Sequence, residues 1–478
     1  MVNALWRFAE RMGAKLVALI VEIVIARELN PEDYGTIALI TVFTSILQVF
    51  VDSGLGSALI QKKDADDLDF STVFYVNVSF CLVLYALMFF CAPLIASFYN
   101  DPELTPLIRV LSLTLVISGV KNVQHAYVSR NMLFKRFFFA TLGGTIGAAV
   151  VGIVMAYSGF GVWALIAQML FNTLVDTIIL WITVKWRPKK MFSFKRLKVL
   201  FSFGWKLLVS ALLETVYTEI RQLIIGKKYT KEDLSFYNQG NKYPYLLVSN
   251  INVSIDSVLL PSMSNVQDDV KQLKSMTRRA IKTSSYLLMP LMCGFAVCAD
   301  SIISILLKDK WLPCVPFLRI FCITYAFYPI HTSNLNALKA MGRSDLFLVL
   351  EILKKAVGII SIIVALLYGV MAMAYSMLFT SFMSQLINSW PNKKLMNYGY
   401  LEQIKDMLPN ILLSLFMGAC VYCITFFNLG NIITLIIQVL LGVLIYVAGS
   451  IIFHIDSFEY CFTMMKGLLK RRGNKKTN

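Results

Sequence analysis

Fourteen apolar runs, each about 20 residues long, recur along this 478-residue chain and leave little room for any other architecture. A helix rising 1.5 Å per residue crosses the roughly 30 Å of hydrocarbon in a bilayer with about 20 residues. The runs lie at roughly 4–26, 34–58, 73–96, 105–128, 137–157, 161–184, 201–225, 236–261, 280–306, 314–338, 346–368, 370–390, 408–428 and 431–454. They are continuous, whereas strands of a membrane barrel appear as alternating segments of about ten residues. Only 15% of residues are charged and 57% are hydrophobic, too little polar surface for a soluble fold of this length. The links are at most about 15 to 20 residues, too short to fold as a soluble domain. The expectation is an all-α polytopic membrane protein of about 14 transmembrane helices.

Two local features are read as packing, not chemistry. The first run is interrupted by Arg7, Glu10, Arg11 and Lys15, so it lacks the clean core of a cleavable signal peptide. Cys420 and Cys423 form a C-x-x-C with no His, Asp or strand-turn pattern nearby, and fit small packing residues better than a redox or metal pair.

The stretch KWRPKKMFSFKRLK, residues 185–198, carries seven positive charges and no acid. With the N-terminus placed in the cytoplasm, loops on that side hold 31 of the 45 Lys and Arg, and loops on the other side hold six. That bias predicts cytoplasmic termini by the positive-inside rule. The stretch is then a cytoplasmic loop, an orientation signal that also touches anionic lipid headgroups. Nucleic acid is not the expected partner, because the +17 net charge is spread over eight segments and not gathered on one face.

A short repeat divides the chain. ARELNPEDYG at 26–35 follows the first run, and GKKYTKEDLS at 226–235 follows the seventh. Each gives a basic helix end, a turn residue and an acidic pair at the start of the next helix, where the helix dipole favours acids. Six spans separate the copies, which predicts two similarly oriented six-helix lobes around a central cleft, plus two C-terminal helices. The expected boundaries are a first lobe 1–184, a basic linker 185–200, a second lobe 201–393, and the last two spans with a basic tail, 394–478.

Eight cations lie within spans: Arg109, Lys121, Lys206, Arg221, Lys242, Arg319, Lys354 and Lys355. Span acids include Glu22, Asp176, Glu214, Glu219, Asp256 and Glu351. A charge facing lipid at mid-bilayer costs at least about 2.5–3.5 kcal/mol, so each needs a partner, a wet cavity, or a reach to the headgroups. Arg109, Lys206, Lys242 and Arg319 stand near span ends and can snorkel, as can Lys121 with His125 one turn on. Lys354 and Lys355 lie roughly 12–14 Å into their span. Lys355 is spaced to pair with Glu351 along the helix, and Lys354 reads as cavity-facing. No cation stands three or four residues from Glu22 or Glu214, leaving each either a proton carrier or a hydrogen-bonded packing residue. His331, Asn334 and Asn336 read as helix packing, not as a metal site. Pro290, Pro316, Pro329 and Gly294 are positioned to kink the ninth and tenth spans. No nucleotide loop, zinc motif or nucleophile elbow occurs, and no cofactor is expected. The pattern is that of a secondary transporter, not an enzyme.

Several segments carry a resemblance. ARELNPEDYGTIALITVF (26–43), DSGLGSALIQKKD (52–64), STVFYVN (71–77), APLIASFYNDPELTPLIRVLSL (92–113) and FGVWALIAQ (160–168) resemble the polysaccharide transporter family. So do WRPKKMFSFKRLKVLFSFGWKLLVS (186–210) and YNQGNKYPYLLVSNINVSIDSVLLPSMS (237–264). These are Wzx-like flippases of the multidrug/oligosaccharidyl-lipid/polysaccharide exporter superfamily. The resemblance implies alternating access and a polyprenyl-pyrophosphate-linked oligosaccharide as cargo, for capsular, exopolysaccharide or O-antigen synthesis. It also implies a working association with polysaccharide polymerase machinery. Lys354, Lys355, Lys121, Lys206, Lys242 and Arg319 are then candidate cations along the substrate path, and Glu22, Glu214 and Asp256 candidate ion couplers. Rival readings are a multidrug/cation antiporter, disfavoured by the surplus of span cations, and a peptidoglycan-precursor flippase, which the quoted segments fit less well. A membrane polymerase or ligase would need a larger outer loop.

Overall fold

The computed structural model describes residues 2–52, 54–427, 429–460 and 463, with backbone alone at 2–12, 134–136 and 203. The charges of Arg7, Glu10, Arg11, Lys135 and Arg136, and the tail from Lys466 to Lys476, thus lie outside the described side chains. All regular structure among the described residues is helical. Residue contacts divide the chain into two units, Met1–Ser235 and Phe236–Asn478.

The first unit holds α1 (Val2–Glu28), α2 (Pro31–Asp52), α3 (Leu55–Gln61), α4 (Asp67–Tyr99), α5 (Leu104–Leu111), α6 (Leu113–Arg130), α7 (Phe134–Tyr157), α8 (Val162–Thr183) and α9 (Phe194–Lys228). Helix α10 (Lys231–Ser264) begins there and runs on into the second unit. That unit continues with α11 (Val270–Val297), α12 (Ala299–Leu307), α13 (Val315–Ala326) and α14 (Tyr328–Ala340). It ends with α15 (Ser344–Ala365), α16 (Val370–Met396), α17 (Tyr400–Cys423) and α18 (Asn431–Ile452). Eleven described helical stretches are long and apolar enough to cross a bilayer, and α9, bent by 48° between Ser202 and Gly204, makes a twelfth. The two remaining expected spans coincide with α1, part of which lacks described side chains, and with α15, made more polar by Asp345, Glu351, Lys354 and Lys355. Large apolar side chains such as Phe90, 74% exposed, and Ile182, 75% exposed, cover the outer faces. That is the surface a bilayer solvates and water does not. The protein is a multi-pass helical membrane protein.

Two expected kinks take another form. The tenth span is broken at Phe327 into α13 and α14, and Pro316 and Pro329 each sit in the first turn of one piece. A helix start has no intrahelical acceptor for that N–H, so proline opens a helix there without strain. Pro290 does lie inside α11.

In the first unit α7 packs along α8 through glycines. A Cβ at Gly147 would come 2.8 Å from the Phe171 ring, and one at Gly144 would come 2.8 Å from Asn172 Oδ1. Close backbone approach of this kind replaces the hydrophobic drive that lipid cannot supply. Ile25, Ile108, Leu111 and Leu115 form one fully buried core, and Leu59, Phe70, Phe137 and Trp186 centre a second. The two repeat turns share one geometry: Asp33 Oδ2 accepts from the Asn30 N–H at 3.0 Å, and Asp233 Oδ2 from the Thr230 N–H at 3.3 Å. In the second unit a buried amide cluster ties α14, α16 and α17 together. Gln403 Nε2 donates to Asn334 Oδ1 at 2.9 Å, and Gln403 Oε1 accepts from Asn334 Nδ2 at 2.8 Å and Ser389 Oγ at 3.0 Å.

The basic stretch 185–198 turns out to be a strap held to the start of α4. Asp66 caps that helix, and the N–H of Asp69 keeps the Asp66 carboxyl below the usual carboxylate range. Arg196 lies 3.4 Å from both Asp66 and Asp69, and Lys62 lies 2.5 Å from Asp69, whose carboxylate is fully buried. Trp186 Nε1 donates to Asp67 Oδ1 at 3.1 Å, and Lys189 pairs with the same carboxylate. Backbone N–H groups of Lys189 and Ser193 reach Ser71 Oγ and Thr72 Oγ1. Three acids at the start of α4 therefore take part of the charge read from sequence as a lipid contact, and two hydroxyls hold the strap's backbone. Lys185, Lys190, Lys195 and Lys198 remain exposed.

Candidate functional site

The span charges fall into three physical groups. The first consists of cations neutralised inside the helix bundle. Lys121 on α6 does not snorkel: its Nζ lies 2.8 Å from Asp176 Oδ2 on α8, with the two side chains only 21% and 15% exposed. A paired ammonium and carboxylate cost far less in a low-dielectric surround than either alone. His125, one turn on, is exposed and its ring stands 4.2 Å from Phe137. Lys354 pairs with Glu351 at 2.5 Å, one turn back along α15. Lys355, expected as the partner of Glu351, is half-buried beside it.

The second group anchors helix ends. Arg319 Nε donates to the Ala296 carbonyl at 3.2 Å and its guanidinium pairs with Asp300, tying α13 to the α11–α12 corner. Arg109 Nε donates to the Phe89 carbonyl at 3.1 Å, with the guanidinium 4.1 Å above the Phe89 ring. Lys206 and Lys242 are exposed on α9 and α10, Glu22 is half-buried on α1, and Glu214 is exposed on α9.

The third group is a polar seam within the second unit. Asp256 Oδ1 accepts from Asn336 Nδ2 at 2.6 Å and Asp256 Oδ2 from Asn252 Nδ2 at 3.4 Å, while Thr332 donates to Asn252 Oδ1. Asn388 Nδ2 lies 3.0 Å from His331 Nδ1, and Ser381 Oγ lies 3.4 Å from His331 Nε2. The seam therefore joins α10, α14 and α16 around one carboxylate and one imidazole. Asn252, Thr332, Asn388 and Ser381 were not singled out from sequence. Their signal was present: Asn252 and Asp256, like Thr332 and Asn336, stand four residues apart and share a helix face. Arg221 on α9 is also notable, being 9% exposed with its Nε and Nη2 lacking hydrogen-bond partners among the described residues. No group of three His, Cys, Asp or Glu side chains among the described residues is placed to hold a metal ion.

Carboxylates, amides and ammonium groups held between spans can solvate a polar solute at membrane depth. The chain is similar to several known proteins. TuaB of Bacillus subtilis (strain 168), a teichuronic acid biosynthesis protein, is 28% identical over 310 residues, which are 63% of this chain. The match spans 63% of TuaB, just under two thirds of that relative's length. ExoT of Rhizobium meliloti (strain 1021), a succinoglycan biosynthesis transport protein, is 22% identical over 342 residues, 71% of this chain and 69% of ExoT. Among solved structures, the lipid II flippase MurJ superposes with a TM-score of 0.77 at 19% identity, covering 95% of this chain and 99% of MurJ. An inward-facing MATE family transporter of the MOP superfamily superposes with a TM-score of 0.62 at 15% identity, covering 82% of this chain and 95% of its own. Identities this low establish a shared fold and say nothing of cargo. Residues 24–316, well over half of the chain, match the family described as polysaccharide biosynthesis protein, and to that family the chain belongs.

Proposed function

We propose that the protein is a flippase that carries polyprenyl-pyrophosphate-linked oligosaccharide units across the bacterial inner membrane by alternating access, with both termini in the cytoplasm. The observation that carries this reading is the family match over residues 24–316, on a chain built of membrane spans. A pyrophosphate and its sugars cannot enter hydrocarbon without losing their hydration, so their path must be polar and must offer cations. Lys206, Lys242 and Lys355 serve as path cations in this reading. Lys121, Lys354 and Arg319 were expected in the same role; their carboxylate partners Asp176, Glu351 and Asp300 make them weaker phosphate ligands. Asp256 is the preferred ion coupler, because movement of a proton or cation at one carboxylate would change its bonds to both Asn252 and Asn336. Glu22 and Glu214 stand behind it. The two lobes are assigned to residues 1–184 and 201–393, joined by 185–200. Polymerase machinery would take the delivered unit.

The test is genetic. Deletion of the gene in its host should make complete lipid-linked repeat units accumulate while surface polysaccharide disappears, and a plasmid copy should reverse both. Unchanged lipid-linked intermediates with altered drug or dye sensitivity would instead establish a multidrug antiporter.

A further inference from the structure

A cavity of about 320 Å³ lies within the first unit between α2, α3 and α6, at the end of these helices that carries Lys62, Lys63 and Arg130. Its size is at the small end of the roughly 300–1,000 Å³ usual for ligand pockets. Gln48, Asp52, Ser57, Lys121, Asn122 and Ser129 line it, so its wall is polar although the surrounding segments are predicted to cross the membrane. A polar cavity in such a position needs a polar occupant to offset the cost of building it.

The charges decide what kind. Lys121 is the one cationic side chain in the lining, and Asp176 already holds it at 2.8 Å. Asp52 adds a carboxylate, kept in place by Gln48 Nε2 donating to its Oδ1 at 3.0 Å. Two carboxylates against one ammonium repel a pyrophosphate. Asn122 spends its Nδ2 on the Val51 carbonyl, and its Oδ1 faces Gly56, where even a Cβ would sit 3.2 Å away. The wall thus mixes these acceptors with the hydroxyls of Ser57, Ser118 and Ser129, and its surplus of negative charge disfavours a phosphate, itself only an acceptor. Hydroxyl groups both donate and accept, and satisfy such a wall. The His125 ring, set 4.2 Å from Phe137, adds a flat face.

We infer that this cavity is a recognition site for an uncharged, hydroxyl-rich sugar ring of the cargo, separate from whatever seats the pyrophosphate. Asp52, Gln48 and Asn122 are its specificity-determining acceptors. The inference rests on the flippase reading and adds to it where in the chain the sugar is read.

Two probes separate the possibilities: lipid-linked oligosaccharide extracted from the host's deletion strain, and polyprenyl pyrophosphate bearing no sugar. Each is titrated against the purified full chain in nanodiscs. Asp52→Asn and Gln48→Ala, which replace exposed or half-buried side chains, should each weaken binding of the sugar-bearing lipid about tenfold, the scale of one charge-assisted hydrogen bond. Binding of the sugar-free lipid should stay at the wild-type value. Equal weakening for both lipids would make the cavity a pyrophosphate seat and overturn the inference. Wild-type affinity of both variants for the sugar-bearing lipid would overturn it too, while leaving the flippase reading intact. Failure of the wild-type protein to bind either lipid would remove the flippase reading and the inference together.

Discussion

Replacing Asp69 by asparagine should loosen the basic strap far more than the same change at its neighbour Asp67, although both acids hold strap side chains. Asp69 is fully buried and faces Lys62 at 2.5 Å and Arg196 at 3.4 Å, with exposures of 22% and 39% for the two cations. Only Arg196 belongs to the strap. The Asp69→Asn variant would keep the side-chain shape but lose one charge-assisted bond to the strap, worth about 1.5–3 kcal/mol, and weaken the reciprocal cap with Asp66. Arg196 is long-bonded and partly wet, which places the cost near the low end, about 1.5–2 kcal/mol. Because cleavage of a transiently opened segment follows its opening equilibrium, that cost raises the cleavage rate roughly 10- to 30-fold. Asp67 and Lys189 are 45% and 58% exposed, so Asp67→Asn should cost under about 1 kcal/mol, at most about fivefold. Limited trypsin digestion in detergent, with cuts at Lys185, Lys189 and Lys190 mapped by mass, measures both. Cleavage of Asp69→Asn at the wild-type rate, or no faster than Asp67→Asn, would refute the buried carboxylate as the anchor.

Other consequences are as direct. Gly147→Val drives a side chain into the Phe171 ring and should destabilise the α7–α8 pair by about 1–3 kcal/mol, read as a lower melting temperature in detergent. Gln403→Leu removes the centre of the amide cluster; at about 0.6 kcal/mol for each of its four hydrogen bonds within a membrane protein, the loss is about 2 kcal/mol in a reversible unfolding assay. The Asp66 carboxyl titrates below its ordinary range when folded, so its cap is fully present above that range and is lost as pH falls through the lowered value. Hydrogen exchange of residues 66–70 should accelerate only in that acidic window, and Asp66→Asn should abolish the pH dependence. Asp256→Asn should leave expression unchanged and remove the response of transport to an imposed proton or cation gradient in vesicles; a retained response would move the coupling to Glu22 or Glu214.

What could be read along the chain was whatever repeats along it. Apolar length gave the spans, and the matched acids at 32–33 and 232–233 gave two turns that do share one cap geometry. Pairings between helices left no such trace. Lys121 meets Asp176 across 55 residues, and nothing in either helix alone distinguishes a paired lysine from one reaching for the headgroups. Glu351 has lysines both three and four residues ahead, and spacing alone did not point to the pair with Lys354 that the structure holds. The strap was legible as charge, but its partners Asp66, Asp67 and Asp69 lie about 120 residues earlier, so the same lysines and arginines looked free for lipid. Pro316 and Pro329 were visible as breaks, while their role in opening helices depended on where the preceding turn ended.

The most direct measurement uses purified protein in liposomes that carry lipid-linked oligosaccharide in both leaflets. A membrane-impermeant oxidant added outside consumes the sugars of the outer leaflet. With the protein present, the inner-leaflet sugars should also become accessible and the protected fraction should fall to the baseline of permeabilised vesicles. An inner-leaflet fraction that stays protected, as in protein-free liposomes, in the presence or absence of a proton or sodium gradient, would contradict the flippase.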